Sequence, residues 1–185
     1  MKKGVMLIAT LAAMANANAE GSFEVSVGNG HINTDCSGTT KCSDSSTGLK
    51  LVGSVNLSPN VAIEGMFINY GKAYGRFLYF GYPAGADARV TGVGAGAAYA
   101  WSFGPGFKLI GRGGVALNRS KYTEFVASEH YENTESQLQP YVGAQISYQV
   151  TDSTSVVAGA DFSRANIDGS HVSVRLLSLG LKWGL

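Results

Sequence analysis

Eight segments that alternate between apolar and polar side chains recur along this chain, each about ten residues long. Alternation with a period of two predicts β-strands, because successive side chains of a strand point to opposite faces of a sheet. A chain built from such segments folds as one or more sheets with two chemically different faces. The segments are residues 23–27, 49–57, 61–70, 90–102, 107–118, 138–150, 155–164 and 172–185.

The connections between these segments alternate in length. Short turns are expected at residues 58–60, 103–106 and 151–154. Long loops are expected at 30–47, 71–89 and 119–137, and a shorter one at 165–171, with residues 76–82 alternatively extending the strands that flank them. Short turns on one side and long loops on the other are typical of β-barrels that span an outer membrane, and they are not required of a soluble sandwich.

The two faces of each segment differ as a membrane would require. In the second segment Leu49, Leu51 and Val55 share one face, and Lys50 and Ser54 share the other. A sheet in lipid must close on itself, because lipid cannot satisfy the hydrogen bonds of an open edge. The sequence therefore predicts an all-β fold, an eight-stranded antiparallel up-and-down transmembrane β-barrel with its apolar face outward.

The N-terminus carries a targeting signal. Lys2 and Lys3 precede an apolar stretch, and Ala17-Asn18-Ala19 fits the small-x-small cleavage rule. We therefore predict a signal peptide over residues 1–19 and an outer-membrane barrel domain over residues 20–185. The whole chain has 14 basic and 13 acidic residues, and this near-neutral balance argues against nucleic acid as a partner.

Seven charged residues fall on the face that is expected to line the barrel interior. Four are cationic and three are anionic, so they can pair with one another and avoid the large cost of a buried unpaired charge. We interpret them as a plug that fills a narrow eight-stranded barrel, with a narrow solute channel as an alternative. The predicted interior charge network is Glu24, Lys50, Glu64, Lys108, Arg112, Asp161 and Lys182.

Cys36 and Cys42 lie six positions apart in the first long loop of a chain that is predicted to be exported. Oxidising compartments favour disulfides, so we predict that these two residues form one. No metal site is expected, because His31 is the only histidine near the two cysteines and a metal ion would need further ligands. No cofactor motif is present in the sequence, and none is predicted.

Two features near the expected loops bear on activity and recognition. His171 and Ser173 lie two positions apart on one strand face, and a His-x-Ser pair with a carboxylate suits acyl transfer. A lipid-modifying enzyme similar to outer-membrane lipid A deacylases is therefore the alternative to a non-enzymatic barrel. The second loop combines aromatic residues with Lys72 and Arg76, which suits contact with lipopolysaccharide headgroups or a host surface.

Two stretches carry a resemblance to a known family. The C-terminal LSLGLKWGL resembles the signal by which outer-membrane proteins are recognised by their assembly machinery. The stretch TGLKLVGSVNLSPNVAIEGMFINYGKA is similar to a strand-turn-strand of OmpA-type transmembrane domains and small outer-membrane β-barrels. The matching residues are Asn60, Ala62, Glu64, Gly65, Tyr70 and Gly71.

The resemblance implies a location and a role. It implies a location in the outer membrane of a Gram-negative type of cell. Eight strands joined by three short turns and four longer loops put both termini on the periplasmic side, and we expect a monomer. Its implied partners are outer-membrane lipids, including lipopolysaccharide, and the assembly machinery that reads the C-terminal strand. The implied function is non-catalytic: envelope integrity, together with surface interaction through the loops.

Overall fold

A computed structural model of the chain gives the fold. The structure describes residues 20–34, 36–80, 82–126, 129–167 and 169–185. The predicted signal peptide, residues 1–19, lies outside the described residues. Within the described ranges, no helix is both long enough and apolar enough to cross a bilayer.

The described residues form nine β-strands, of which eight are long and one has three residues. The eight long strands confirm the prediction of an eight-stranded antiparallel barrel, and the short strand, β2, lies within the first predicted loop. The strands are β1 (Gly21–Ile32), β2 (Lys41–Ser43), β3 (Ser45–Asn56), β4 (Val61–Tyr79), β5 (Tyr82–Gly104), β6 (Phe107–Val126), β7 (Glu129–Gln149), β8 (Thr154–Ile167) and β9 (Ser170–Gly184).

The long strands form a closed ring in which each pairs with its sequence neighbours, and the first pairs with the last. β1 pairs with β9 from Ser22 opposite Gly184 to Ile32 opposite Val174. β4 pairs with β5, which completes the ring. All pairings are antiparallel, as an up-and-down barrel requires.

The connections at the two ends of the barrel differ in length, and we name the ends accordingly. At the turn end, β3–β4, β5–β6 and β7–β8 are joined by a few residues each. At the loop end, the prediction of unstructured loops over 71–89 and 119–137 is wrong, because the strands continue: β4 reaches Tyr79, β5 begins at Tyr82, β6 reaches Val126 and β7 begins at Glu129. The alternative that residues 76–82 extend the strands is confirmed for 76–79 and for Tyr82.

The continued strands stand beyond the closed part of the barrel. The pairing of β7 with β8 ends at Tyr141 opposite Ser163, whereas β6 and β7 remain paired as far as Val126 opposite Glu129. We name residues 72–79, 82–89, 119–126 and 129–137 the extension. Cross-strand hydrogen bonds hold the extension together as a sheet. Long polar loops of the same composition would lack these hydrogen bonds.

The first loop adds one edge to this sheet. β2 pairs with β4, and Lys41 lies opposite Arg76. The predicted disulfide is confirmed: Cys36 and Cys42 are bonded, with their Cα atoms 5.8 Å apart. It closes a ring of few residues, and in the chain-entropy account such a link contributes about 2 kcal/mol. The disulfide constrains the loop, and the pairing of β2 with β4 joins that loop to the extension.

The outer face of the barrel is apolar. Leu109, Leu179 and Trp101 are exposed, whereas Lys50 and Arg112 are buried. This inversion of the usual arrangement in soluble proteins is what a barrel in lipid requires, because lipid covers the outer side chains. Aromatic side chains near the turn end include a stacked pair, Phe23 and Trp183, and a second pair, Phe107 and Tyr148.

Gly28 lies where β1 and β9 close the ring, opposite Ser178 of β9. A Cβ atom at this position would overlap the backbone carbonyl of Leu177, and backbone cannot move aside without separating the two strands. We expect Gly28→Ala to lower the free energy of unfolding by about 1–3 kcal/mol, the usual cost of overpacking. Urea unfolding of the refolded protein in lipid vesicles measures this loss.

Gly65 of β4 provides the matched control. The nearest atom to a Cβ at Gly65 is the carbonyl oxygen of Gly94 at 4.0 Å, which leaves room for a methyl group. Gly65→Ala should therefore leave the unfolding midpoint unchanged or raise it slightly, since alanine has less backbone entropy to lose. Equal losses for the two variants would contradict the proposed overlap at the closing pair of strands.

Candidate functional site: the filled barrel interior

The interior of the barrel contains a layer of charged side chains at about mid-height. Its five members come from five different strands, and all are buried. Each stands at an inward position of its strand because inward and outward side chains alternate. The members are Glu24 of β1, Lys50 of β3, Glu64 of β4, Arg112 of β6 and Asp161 of β8.

Lys50 is the most enclosed cation of this layer, with 1% of its surface exposed. Its Nζ lies 2.8 Å from Asp161 Oδ2 and 3.1 Å from Glu24 Oε1. Ser26 Oγ donates a further hydrogen bond to Glu24 Oε1 at 2.9 Å. One ammonium group therefore neutralises carboxylates from two strands that are far apart in the sequence.

Arg112 is the second cation of the layer. Its Nη2 lies 3.4 Å from Glu24 Oε2, and its Nε lies 3.9 Å from Glu64 Oε1. Tyr141 Oη donates a hydrogen bond to the same Glu64 oxygen at 3.1 Å. The guanidinium group thus links the carboxylates of β1 and β4 across the lumen.

Gln145 completes the layer, although a pattern of charges alone does not identify it. Its Oε1 accepts hydrogen bonds from Arg112 Nη2 at 2.8 Å and from Lys50 Nζ at 3.4 Å. Its Nε2 donates to Glu24 Oε2 at 3.0 Å. The alternation along β7 puts Gln145 on the inward face, and that is the sequence signal that reveals it.

Two members of the predicted network lie apart from this layer. Lys108 and Lys182 line a cavity of about 480 Å³ that opens at the turn end. Among the described residues, neither lysine has a carboxylate oxygen within 4.0 Å. The structure therefore brings together Glu24, Lys50, Glu64, Arg112 and Asp161, and it places the other two cations in the adjoining cavity.

The loop-end half of the interior is apolar. This layer differs from the prediction from sequence, which gives a polar interior and a fourth-strand end near residue 70. Its signal is the continuation of the inward series of Glu64 and Met66 through Ile68 and Tyr70. The largest buried members of the layer are Ile32, Ile68, Tyr70, Val90, Val174 and Leu176.

His171 and Ser173 lie on the outward face of β9 at the loop end. Both side chains are exposed, and their cross-strand partners on β8 are Asn166 and Arg164, respectively. Within the described ranges, no hydrogen bond joins the two side chains and no carboxylate faces them across the strand pair. The geometry that a nucleophile, a base and a carboxylate would need is not formed here.

Two observations concern side chains that could act as metal ligands or titrate. No cluster of three or more histidine, cysteine, aspartate or glutamate side chains in the described part of the chain is arranged to hold a metal ion.

In the first loop, Asp44 accepts a hydrogen bond from Ser45 Oγ at 2.9 Å and lies 3.4 Å from His31 Nδ1. The bond from Ser45, followed by the proximity of His31, holds the pKa of Asp44 below its ordinary value.

The extension presents aromatic and charged side chains at its surface. Arg76 forms an ion pair with Asp87 at 2.9 Å, and its guanidinium carbon lies 5.3 Å from the ring centre of Tyr74 and 5.0 Å from that of Phe125. Leu78 and Tyr82 are exposed close to the tip. These contacts stiffen the outward face of the hairpins and leave large side chains accessible.

A closed ring of strands with an apolar outer face and a filled interior defines a membrane-spanning β-barrel. Sequence comparison agrees with this class, because residues 4–184 match the family described as Outer membrane protein beta-barrel domain. The chain belongs to this family. No curated protein sequence is significantly similar to the chain.

Several solved structures share the fold. Ail, the attachment invasion locus protein of Yersinia pestis, is 16% identical over 91% of this chain and 100% of its own, with a TM-score of 0.60. Ail has also been solved in complex with the heparin analogue sucrose octasulfate, with a TM-score of 0.58. At these identities the likeness establishes the fold alone.

Two further structures widen the range of relatives. Neisserial surface protein A is 14% identical over 88% of this chain and 96% of its own, with a TM-score of 0.62. The outer membrane protease OmpT from Escherichia coli is 9% identical over 92% of this chain and 98% of its own, with a TM-score of 0.50. A fold that includes a protease does not by itself decide whether a member is an enzyme.

Proposed function

We propose that this chain is a non-catalytic protein of the outer membrane that supports envelope integrity and interacts with ligands outside the cell through its extension. The observation that carries the proposal is the extension itself, a sheet of four long strand ends that stands above the closed barrel. Loops held on a rigid barrel are where proteins of this architecture place recognition.

The filled interior supports a structural role. The layer around Lys50 and Arg112 joins five strands through ion pairs, and the apolar layer lies directly beyond it. An eight-stranded barrel is narrow enough for side chains to fill it. A solute would have to displace both layers, so the interior favours a plug over a channel.

The proposed orientation puts the loop end outside the cell and both termini on the periplasmic side. Glu20 and Leu185 lie at the turn end, where Asn56 N donates a hydrogen bond to Glu20 O and Leu185 N donates to Gly21 O. Short periplasmic turns and longer outer connections are the rule in such barrels. The C-terminal strand β9 is then available to the assembly machinery before it pairs with β1.

The extension is tested by shortening it. Replacing residues 74–87 and 122–133 with Asn-Gly turns joins Ala73 to Ala88 and Lys121 to Thr134, which already lie opposite one another. The full chain and the shortened variant are expressed in a strain that lacks the gene. Two readouts are taken: survival with detergent or vancomycin, and retention of the cells on immobilised heparin, the probe suggested by the Ail complex.

We expect both proteins to restore survival and only the full chain to retain the cells, because the shortened variant keeps the barrel and loses the recognition surface. Heat-modifiable migration of the outer-membrane fraction verifies that both have folded. Equal retention by the shortened variant, or failure of the full chain to retain cells, overturns recognition of such glycans by the extension. If neither protein improves survival, the envelope role is overturned.

A further inference from the structure

Three cations form a row across the outward face of β4, β5 and β6. Lys72 lies opposite Arg89, and Arg89 lies opposite Lys121. All three side chains are exposed, and buried residues alternate with them along the strands. Directly opposite residues of an antiparallel pair have Cβ atoms about 4.5–5.5 Å apart, so the Cβ atoms of the three cations span about 11 Å.

Such a row is unfavourable unless an anion covers it, because like charges directly opposite one another destabilise a sheet. The chain itself supplies little compensation. Lys121 Nζ has one carboxylate, Glu132 Oε2, at 2.9 Å, and both side chains are exposed. In the described part of the chain, Lys72 and Arg89 have no carboxylate oxygen within 4.0 Å.

The row lies just above the apolar outer face. Val93, Val115 and Leu117 are exposed on the same strands toward the turn end. Four residues separate Arg89 from Val93, a distance of about 13 Å along a strand. A ligand that fits both surfaces has negative groups at one end and acyl chains at the other.

The charges are distributed asymmetrically between the two ends of the barrel. At the turn end, the two described cations, Lys108 and Lys182, line the interior cavity instead of the outer face. The lipid that meets the loop end is therefore expected to be more anionic than the lipid at the turn end. At the loop end, six described cations of the long strands are exposed on the outward face: Lys72, Arg89, Arg119, Lys121, Arg164 and Arg175.

We propose that Lys72, Arg89 and Lys121 form a binding site for the two phosphates of lipid A, with its acyl chains lying on Val93, Val115 and Leu117. The site gives a location to the lipopolysaccharide contact that the family resemblance implies, and it rests on the orientation given under the proposed function. Two phosphates on one rigid headgroup match a row of three cations better than the single phosphate of a phospholipid does. Arginine adds a planar pair of donors that suits phosphate oxygens.

The test compares two double variants of equal charge change in the full chain. Lys72→Gln/Arg89→Gln removes two cations of the row. Arg164→Gln/Arg175→Gln removes two outward cations whose directly opposite residues are Ser173, Phe162 and His31, so neither lies opposite a second lysine or arginine. Each protein is purified in detergent, and its affinity for diphosphoryl lipid A, monophosphoryl lipid A and phosphatidylglycerol is measured by native mass spectrometry. Sucrose octasulfate is titrated as the non-lipid anion.

We expect Lys72→Gln/Arg89→Gln to lower the affinity for diphosphoryl lipid A about 30-fold, because two cations beside an anionic headgroup are lost. The control variant should change this affinity about twofold or less. Monophosphoryl lipid A should bind the wild-type protein more weakly than the diphosphoryl form. Heat-modifiable migration of every variant verifies folding, and Lys72→Gln alone is the milder substitution if the double variant does not fold.

Three outcomes overturn the site. The first is an equal loss in both double variants, which indicates general electrostatic attraction. The second is equal binding of phosphatidylglycerol and diphosphoryl lipid A by the wild-type protein. The third is that Lys72→Gln/Arg89→Gln no longer binds sucrose octasulfate but binds lipid A with unchanged affinity, which assigns the row to a sulfated glycan. These readouts do not involve residues 74–87 or 122–133, so they are independent of the test of the extension.

Discussion

Lys50→Met is expected to lower the free energy of unfolding by about 3–5 kcal/mol, the usual cost of removing one partner of a buried ion pair. The substitution leaves Asp161 and Glu24 without the ammonium group that lies 2.8 and 3.1 Å from their oxygens. Neither carboxylate is open to solvent, so water does not replace the lost partner. Urea unfolding of the refolded barrel in vesicles measures the loss.

Lys121→Met is the matched control for this prediction. Lys121 also forms a short ion pair, with Glu132 at 2.9 Å, but both side chains are more than half exposed. An exposed pair contributes about 0–1 kcal/mol, so the control should change stability little. Adding Asp161→Asn to Lys50→Met should recover part of the loss, because Asp161 is the carboxylate left without an ion-pair partner, whereas Glu24 keeps Arg112. Similar losses for Lys50→Met and Lys121→Met would show that the interior layer is not water-excluding.

Leu179→Arg is expected to destabilise the barrel by about 2–4 kcal/mol in vesicles, the cost of a cation on the lipid face near the bilayer midplane. Leu179 faces outward on β9 and lies four residues from both Arg175 and Trp183. At about 3.3 Å per residue these mark the two edges of the apolar band, which places Leu179 near its middle. The measurement is again urea unfolding in vesicles, with heat-modifiable migration as the fold check.

Leu57→Arg distinguishes a lipid environment from simple exposure. Leu57 and Leu179 are equally accessible in the isolated chain, at 63% and 60%. Leu57 lies in the turn between β3 and β4, at the membrane interface, where a cation costs about 0–1 kcal/mol. A water-exposed outer face would give two small and similar effects, and that result would contradict the transmembrane arrangement.

The sequence predicts most of the barrel because lipid and lumen impose opposite polarity on alternate residues. The series Leu49, Lys50, Leu51 already assigns the faces of β3, and the exposed Leu49 and buried Lys50 agree with it. Local patterns of this kind do not specify where a strand ends. Alternation therefore does not predict the extension well, since residues 72–76 alternate charged or aromatic side chains with small ones and present no strong apolar face.

The interior was harder to anticipate than the wall. Alternation indicates that Lys50 and Asp161 point inward, but their sequence positions are 111 apart and only the closed ring brings them to 2.8 Å. The height of a side chain in the lumen depends on strand register, which short turns fix only locally. This explains why Lys108 and Lys182 share the inward face with the other charges and nevertheless lie in the cavity at the turn end.

The pairing of β1 with β9 has a consequence for biogenesis. The strand that leaves the ribosome first finds one of its two hydrogen-bonding partners only when the final residues of the chain have been delivered. Until then the growing sheet has two unsatisfied borders, and such borders readily recruit foreign strands. Chaperones are therefore needed to shield these two strand edges from other unfolded chains until the protein is inserted. Once β1 pairs with β9, both edges are satisfied together and the need for shielding ends.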